Sequence, residues 1–301
     1  MPELPDLTIY LEHLQQRIVG TGLEAIRLAS PFVLRTVEPT IEAVCARSVV
    51  GCSRLAKQLV IELDGDYFVV VHLMISGRLQ WRGKGAALPK RNALVAFDFS
   101  SGTLIVNEVS KKKRASLRLV QGREPLAALD PGGLELFAID AQTFAEQLRA
   151  SNHTLKRALT DQRVFAGVGN AYSDEILVRA GLSPFKRPRD MSADELSRLH
   201  RCCLDVLGEW TGRLREKAGD QFPSKVTAFH PEMIVHGKYK QPCRICGASV
   251  QRIRYAENEA NYCAKCQTGG KLLADRSLSR LLKEDWPKTV DEWENSRRGQ
   301  P

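Results

Sequence analysis

Hydrophobic and polar residues alternate along four short segments near the start of the chain, and turn-forming residues separate the members of each pair. The pairs are 57–63 with 67–73, around Asp64-Gly65, and 93–99 with 103–107, around Ser101-Gly102. Alternation interrupted by such turns predicts antiparallel hairpins. Between Leu7 and Ile18 the apolar residues recur every three to four positions instead, which predicts one helix. We therefore expect an N-terminal β-sandwich with one helix over residues 1–129.

Helical spacing takes over after Asp130-Pro131-Gly132-Gly133, a combination of residues typical of a linker. From Ala141 to about Ala218 the apolar residues recur with a helical period. This pattern predicts a helical domain, which we place at residues 130–235. With the strand-rich N-terminal part, it makes the expected fold class multidomain α+β.

Four of the eight cysteines form two Cys-x-x-Cys pairs, Cys243 with Cys246 and Cys263 with Cys266, separated by sixteen residues. Such pairs can supply four thiolates to one tetrahedral Zn²⁺, and a site with four protein ligands has no open position for catalysis. Free thiols or a redox pair are the alternatives, but no thioredoxin-like pattern surrounds either pair. We predict one structural Zn²⁺ in a β-hairpin finger over 236–270. A helical tail over 271–301 would follow, with its helix at 271–283.

Composition narrows the class of protein. The 301 residues carry a formal net charge of +9, and 43% are hydrophobic, which is ordinary for a soluble domain. Excess positive charge favours a polyanionic partner. No segment approaches the roughly 20 apolar residues of a membrane helix, and the acidic start does not resemble a signal peptide. We expect a cytoplasmic monomer that is not associated with a membrane and whose cysteines stay reduced.

Positive charge is concentrated in two regions. Residues 238–283 contain ten Lys or Arg and three acidic residues, so the predicted zinc finger is expected to contact phosphates. The run Lys111–Arg114 interrupts the strand pattern of the N-terminal part. It is either a solvated loop or a second phosphate-contacting loop.

The chain opens with Pro2-Glu3-Leu4-Pro5-Asp6. A small residue at position 2 normally leads to removal of the initiator Met, which would leave Pro2 with a free secondary amine of pKa near ~8. A neutral amine can attack C1′ of a nucleoside and displace its base, and the resulting iminium promotes β-elimination. Glu3 is placed to protonate the opening sugar or the leaving base. The alternative is an ordinary start that happens to contain two prolines.

Five features spread over nearly the whole chain together resemble the formamidopyrimidine-DNA glycosylase and endonuclease VIII family. They are PELPD at 2–6, Lys57 before QLVIEL, HLMISG at 72–77, GVGNAYSDEIL at 167–177 and the spacing of the cysteine pairs. The family counterparts are PELPE, a lysine on a β-turn, HLGMSG, GVGNIYANEIL and a zinc finger of the same spacing. The resemblance implies a base-excision repair glycosylase for damaged DNA that is also an abasic-site lyase, with a helix–two-turn–helix around 167–177. Such an enzyme would be associated with the nucleoid through DNA.

The resemblance also implies a division of catalytic work. Pro2 would be the Schiff-base nucleophile and Glu3 the general acid. Lys57 would bind the phosphate beside the lesion and assist elimination, and Asp6 is a possible support for catalysis. A lysine at the end of a strand is the simpler reading of Lys57.

DNA contacts follow from the same resemblance. His72, Lys156 and Asn170 would contact phosphates, with Asn170 at a helix N-terminus. Ile75 would fill the space left by a flipped-out base, and Met74 could share that role. The simpler readings are a satisfied polar residue in a sheet for His72, a solvated charge for Lys156 and a helix cap for Asn170.

The chain departs from the family pattern at four places. Asp6 is one methylene shorter than the family's glutamate. Asn258 stands where the family has a finger-tip arginine, and it remains a candidate DNA contact although Asn cannot make the same bidentate bond. The family's DPRRFG segment is replaced over 108–116, and the chain continues past the finger. These departures leave the preferred lesion and opposite base open.

The resulting hypothesis is a glycosylase that cleaves the abasic site by β-elimination, with δ-elimination open. A non-catalytic damaged-DNA-binding protein on the same scaffold is the alternative, motivated by the missing tip arginine. An RNA-binding protein with a helix–two-turn–helix is a third reading. The presence of Pro2, Glu3 and Lys57 favours the enzyme.

Overall fold

The computed structural model describes residues 1–223, 226–255, 258–273, 288–290 and 292. The chain forms two compact units, of which the first contains Met1–Gly133 and Gly208–Ala228, and the second contains Leu134–Leu207 and the chain from Phe229 onward. The division after Gly133 falls at the expected linker. Gly208–Ala228, which the sequence analysis placed in the helical domain, belongs to the first unit. Most of the expected tail helix lies outside the described residues.

The first unit is built from antiparallel strands. They are β1 Gly22–Leu28, β2 Arg47–Leu55, β3 Gln58–Leu63, β4 Tyr67–His72, β5 Gly77–Arg82, β6 Ala93–Phe99, β7 Gly102–Glu108 and β8 Ser116–Gln121. Its helices are the long N-terminal α1 Leu4–Ile18 and the short α2 Ile41–Val44 and α3 Arg123–Ala127. A 3₁₀ turn lies at Pro31–Val33. The strand order is β5-β7-β6-β1-β2-β3-β4-β8. Strands β1 and β2 pair only at Gly22↔Ser48 and Leu23↔Arg47, so two four-stranded halves meet at one corner. This arrangement confirms the predicted sandwich.

Local sequence explains the first of the two predicted hairpins. Between β3 and β4, Gly65 (φ +69°) and Asp66 (φ +64°) adopt left-handed conformations that close a short turn. Alternate residues of β3, including Leu59 and Ile61, then point into the main core. Val60 points to the other face, into a smaller cluster that α3 covers. Period-two alternation therefore divides each strand between two apolar clusters.

Helix α1 packs its apolar face, including Leu7, Tyr10 and Leu14, into the main core of the first unit. The returning segment Gly208–Ala228 joins that core through Phe222, whose ring lies 5.7 Å from Tyr10 and 6.3 Å from Trp81. These ring contacts explain why this segment belongs to the first unit.

The second unit is mainly helical. It contains α4 Ala141–Ala150, α5 Leu155–Thr160, α6 Asn170–Ala180, part of α7 Ala193–Ala218, the finger strands β9 Val250–Tyr255 and β10 Asn258–Cys263, α8 Ala264–Thr268, and 3₁₀ turns at Leu136–Ala138 and Pro188–Asp190. The turn between α5 and α6 is ordered by Gln162, whose amide donates to the carbonyl of Val168 at 2.8 Å and accepts from the N–H of Gly167 at 2.9 Å. No helix in the described ranges has the length and hydrophobicity needed to span a membrane.

Candidate active site and DNA-contact residues

The first residues of the chain form the N-terminal cap of α1. Pro2 and Glu3 are buried, and the backbone N–H of Glu3 donates to Asp6 Oδ2 at 2.9 Å. Glu3 and Asp6 form a reciprocal capping box, in which each side chain accepts from the backbone of the other, and Pro5 fits the first helical turn. The PELPD sequence therefore folds into a fixed cap that places the amino terminus against the domain.

Asp6 lies behind this cap with 2% of its surface exposed. Its second oxygen, Oδ1, is buried and has no hydrogen-bond partner among the described residues. Burial raises the pKa of Asp6 to about 7, despite the opposing hydrogen bond from Glu3. The shorter acid at this position is therefore a group that changes protonation near neutral pH.

The pKa of the amino terminus is also shifted. Burial lowers the pKa of the α-amino group, here that of Met1, and the positive charges of Arg78 and Lys57 lower it further. The negative charges of Glu3 and Asp6 act in the opposite direction. A lowered pKa leaves more of the amine neutral, which is the form that a nucleophile requires.

Lys57, on the turn between β2 and β3, and His72, at the end of β4, belong to the same half of the sandwich. Lys57 is buried and follows Ala56, whose φ of +49° turns the chain between β2 and β3. Gln58 pairs with His72 in the sheet register. Burial lowers the pKa of His72 to about 4, with further contributions from Lys57 and Arg118. His72 is thus neutral at physiological pH and can offer a phosphate a hydrogen bond but no charge.

Ile75 stands on the turn between β4 and β5. Its side chain is 53% exposed, and Met74 before it has a left-handed φ of +52°. The N–H of Gly77 donates to the carbonyl of Leu73 at 2.8 Å, and a Cβ at position 77 would lie 2.2 Å from that oxygen. Only glycine fits there, so the turn is tight and presents Ile75 to solvent.

Glu108 holds this turn beside the basic loop, and sequence reasoning assigned it no role. Its buried carboxylate accepts from Ser76 Oγ at 3.0 Å and from the N–H groups of Arg114 and Ala115 at 2.8 and 2.9 Å. The ammonium of Lys113 donates to the Glu108 carbonyl. The exposed lysines of Lys111–Arg114 therefore belong to a fixed loop. The sequence signal for this role was the position of Glu108, an acid at the end of β7 shortly before the basic run.

Lys156 is not where the sequence analysis expected it. Its side chain is 2% exposed, and Nζ donates to the Asn170 carbonyl (2.6 Å), to Ser173 Oγ (2.9 Å) and to Asp174 Oδ1 (2.5 Å). Three acceptors satisfy all three N–H groups of an ammonium. A direct phosphate contact by Lys156 does not fit this placement; Lys156 instead fixes the first turn of α6.

Asp174 extends the same buried network to the finger. Its Oδ2 accepts from His236 Nδ1 at 2.8 Å and from the backbone and side-chain nitrogens of Asn261 at 3.2 and 3.1 Å. The neighbouring Glu175 accepts the N–H groups of 234, 235 and 236. Two adjacent acids of α6 thus hold β10 and the segment that precedes the finger. Sequence reasoning missed both, because their partners lie about 60 to 90 residues away along the chain.

Asn170 begins α6, as predicted. It is half-buried, and its carbonyl is engaged by Lys156. No hydrogen bond to its side-chain amide is found within the described part of the chain. The Asn170 amide therefore lies at the N-terminus of a helix, where the helix dipole favours an anion.

The four cysteines of the finger come together as the spacing predicts. The Sγ atoms of Cys243, Cys246, Cys263 and Cys266 all lie within 4.8 Å of one another, and those of Cys246 and Cys263 are 3.3 Å apart. Four thiolates at Zn–S distances of about 2.3 Å require sulfur separations of about 3.8 Å, so this cluster fits a tetrahedral metal. Asn258 begins β10 opposite Tyr255 in the register. Its side chain lies outside what the structure describes.

Comparisons with known proteins agree with this arrangement. The formamidopyrimidine-DNA glycosylase N-terminal domain matches residues 1–120, and the formamidopyrimidine-DNA glycosylase H2TH domain matches 128–212. A formamidopyrimidine-DNA glycosylase of Roseiflexus sp. (strain RS-1) is 31% identical over 274 residues, which cover 89% of this chain and 100% of that protein. One from Variovorax paradoxus (strain S110) is 31% identical over 279 residues, with the same coverage.

Comparison with solved structures agrees with these sequence matches. A complex between the Lactococcus lactis Fpg and DNA containing an abasic site aligns with a TM-score of 0.76 and 26% identity, over 88% of this chain and 99% of that one. The matches define the class of protein as a DNA glycosylase of DNA repair. Within that class, the chain belongs to the formamidopyrimidine-DNA glycosylase family, which confirms the resemblance found in the sequence.

Proposed function

We propose that this chain removes damaged bases from DNA and then cleaves the abasic site through a Schiff base on Pro2. The observation that carries the proposal is the cap of α1, where Pro2 and Glu3 are buried and the charges of Lys57 and Arg78 act on the amino terminus. Removal of Met1 would leave the amine of Pro2 in this environment. Burial and two positive charges favour its neutral, nucleophilic form.

The chemistry proceeds in two parts. The amine of Pro2 attacks C1′, the bond from C1′ to the base breaks, and the base leaves with the proton that the amine loses. Glu3 then protonates the ring oxygen as the sugar opens. A secondary amine has no second N–H to lose, so the adduct is a cationic iminium. The iminium acidifies the C2′ proton. Loss of that proton expels the 3′ phosphate by β-elimination, and water then releases the enzyme.

We propose contacts with DNA phosphates and stacked bases for each unit separately. In the first unit, Lys57 supplies charge to the phosphate beside the lesion, His72 adds a neutral hydrogen bond, and Ile75 enters the base stack. In the second unit, Asn170 binds a phosphate at the N-terminus of α6. Asn258 remains the candidate contact of the finger. The DNA-bound Lactococcus lactis structures, including one with an abasic site, support this use of the shared fold.

The cysteine cluster is proposed to bind one Zn²⁺ in a structural role. All four ligand positions come from the protein, so the metal would have no site for substrate. Zn²⁺ would fix the ends of β9 and β10 and thereby the basic finger.

Borohydride trapping on DNA with an abasic site tests the catalytic proposal. The native protein should begin at Pro2 and become covalently attached to DNA. An uncleaved N-terminal tag should abolish trapping because it converts the amine to an amide. Trapping of a tagged protein or of Pro2→Gly at the native rate would place the nucleophile elsewhere. DNA binding with no trapping at all would favour the non-catalytic damaged-DNA-binding protein.

A further inference from the structure

Arg78 is the first residue after the Ile75 turn whose side chain reaches back to it. Its Nη1 donates to the carbonyl of Gly77 at 2.6 Å and to that of Ile75 at 3.3 Å. Its Nε donates to the carbonyl of Val226, on the returning segment of the same unit. A single guanidinium thus ties the turn to a second stretch of chain.

The charge of Arg78 has no carboxylate partner within salt-bridge distance among the described residues, since its bonds go to carbonyl oxygens. It nevertheless acts on the amino terminus and on the helix that follows. Arg78 lowers the pKa of the α-amino group and also opposes the burial that raises the pKa of Asp6. The other charges that act on the amine are Glu3 and Asp6 from α1 and Lys57 from the β2–β3 turn.

We propose that Arg78 is a positioning residue that links the Ile75 turn, between β4 and β5, to the amino terminus: its guanidinium fixes the carbonyl side of the turn, and its charge acts on the amine. The inference rests on the proposed function, because it gives Arg78 a part in that reaction. It goes beyond that function by assigning one residue to two separate steps, base extrusion and amine activation.

The chemistry of arginine explains why one residue can serve both purposes. A guanidinium presents several N–H groups in a rigid planar fork and remains charged at every relevant pH. Lysine would keep the charge and lose the fork. Glutamine would keep a short polar side chain and lose the charge. The Arg78→Lys and Arg78→Gln variants therefore separate the two contributions.

The experiment compares wild type, Arg78→Lys, Arg78→Gln and a control, Arg82→Gln. Arg82 lies at the exposed far end of the same strand. The first measurement is the pH dependence of reductive alkylation of the amino terminus by a small aldehyde and borohydride, followed by mass spectrometry without DNA. Loss of a nearby positive charge should shift the midpoint upward by about half to one pH unit in Arg78→Gln. The midpoint should stay unchanged in Arg78→Lys and Arg82→Gln.

The second measurement compares borohydride trapping on an abasic site in single-stranded DNA with release of a damaged base from a duplex. Base extrusion is needed only in the duplex. In both Arg78 variants, the rate of base release from the duplex should therefore fall about tenfold relative to the rate of trapping on the single strand. This is the effect of about one charge-assisted hydrogen bond. Arg82→Gln should keep the native ratio.

The outcomes separate this inference from the proposed function. If wild type does not trap, the proposed function fails and the role of Arg78 in it fails as well. If wild type is trapped on abasic-site DNA while both Arg78 variants keep the native pH midpoint of alkylation and the native ratio of duplex to single-strand rates, the proposed function stands and the inference is overturned. Thermal melting checks folding, and Arg78→Lys provides the duplex comparison even if Arg78→Gln does not fold.

Discussion

Lys156 and Asp174 form a buried ion pair in which Nζ lies 2.5 Å from Oδ1. Burial alone would raise the pKa of Asp174, but the Lys156 charge and the hydrogen bond with His236 hold it below its usual value. The remaining bonds of the pair go to Asn170, Ser173 and Asn261. Such a pair survives burial only when its hydrogen bonds are complete. Its function is therefore to fix the start of α6 against the finger.

Removal of Lys156 should destabilise the second unit. Lys156→Met leaves Asp174 buried without its main partner, a change that typically costs about 3–5 kcal/mol in the free energy of unfolding. Urea unfolding monitored by hydrogen exchange would measure it. The control is Arg163→Ala, which removes the exposed partner of Asp161 and should cost less than about 1 kcal/mol. If Lys156→Met keeps native stability and lowers the salt dependence of DNA binding, Lys156 is a direct phosphate contact after all.

The network around Lys156 shows where sequence reasoning stops. Hairpins, helix periods and cysteine spacing are local, so the sandwich, the helical unit and the finger could be predicted from short windows. Burial of Lys156 depends on partners from α6, and α6 in turn is bound to His236 and Asn261. Ser173 and Asp174, which bind Lys156, are positions where the α6 segment departs from the GVGNIYANEIL pattern. The departure was visible in the sequence, but its pairing with Lys156 required the fold.

Long-range packing limited the other predictions in the same way. The ring of Phe222 packs against those of Tyr10 and Trp81, which lie far away in sequence. These contacts hold Gly208–Ala228 in the first unit. Glu108 was overlooked because its partners are a serine on another turn and two backbone N–H groups. The acid before the basic run was a local signal, but no local pattern encodes the contact with the serine.

The protonation of Asp6 should make stability depend on pH in an unusual direction. The folded pKa is about 7 and the reference value is 3.8, so the native state holds a proton that the unfolded chain has lost between these values. The contribution of Asp6 to stability therefore falls as pH rises from about 4 to about 7 and is then constant. Asp6→Asn mimics the protonated form. Above pH 7 it should exceed wild type by up to roughly 4 kcal/mol, an upper bound from the shift in pKa.

Denaturant titrations of wild type and Asp6→Asn at several pH values would measure this difference, with the exposed Glu24→Gln as the control. The stabilities of Asp6→Asn and wild type should converge near pH 4. Parallel curves over the whole range would show that Asp6 is ionised in the folded protein throughout.

Zinc should be required by the finger and not by the sandwich. One Zn²⁺ per chain is expected, and Cys243→Ser should lose it, whereas Cys45→Ser should retain it because Cys45 lies outside the cluster. Structural Zn²⁺ contributes about 10 kcal/mol or more to a small module, so the finger should unfold locally and DNA affinity should fall. Elemental analysis and hydrogen exchange would follow both changes. Freshly prepared protein without zinc, or a finger that stays protected in Cys243→Ser, would contradict the assignment.

Lys57 and His72 should differ in their salt dependence. A charged phosphate contact releases counterions, so Lys57→Ala should reduce the slope of log affinity against log salt by about one. Because the pKa of His72 is lowered to about 4, the ring is neutral and His72→Ala should weaken binding with little change in slope. Binding to a non-cleavable abasic analogue at several salt concentrations would measure both. Equal loss of slope in the two variants would show that DNA protonates His72.

The last prediction concerns the finger tip, where Asn258 stands at the position of the family's arginine. After β-elimination, a second δ-elimination must expel the 5′ phosphate, and a guanidinium on that phosphate favours its departure. Arg remains charged and offers a planar fork of donors, whereas Asn offers one neutral amide. A charge-assisted hydrogen bond exceeds a neutral one by about 1–1.5 kcal/mol, about tenfold in rate if it forms only in the transition state. We therefore expect this enzyme to stop largely at the β product, and Asn258→Arg to shift it toward δ.

Gel resolution of the 3′ ends on an abasic-site duplex distinguishes the products, because δ-elimination leaves a 3′ phosphate and β-elimination an unsaturated aldehyde. The basic loop Lys111–Arg114, held in place by Glu108, is a competing source of charge for the 5′ phosphate. Neutralising Lys111 and Lys112, both exposed, tests it while leaving the bonds to Glu108 intact. A product that is mainly 3′ phosphate in wild type and falls in this loop variant would assign the cation to the loop. The same product in both proteins would remove the argument from Asn258, because δ-elimination would then proceed without either cation.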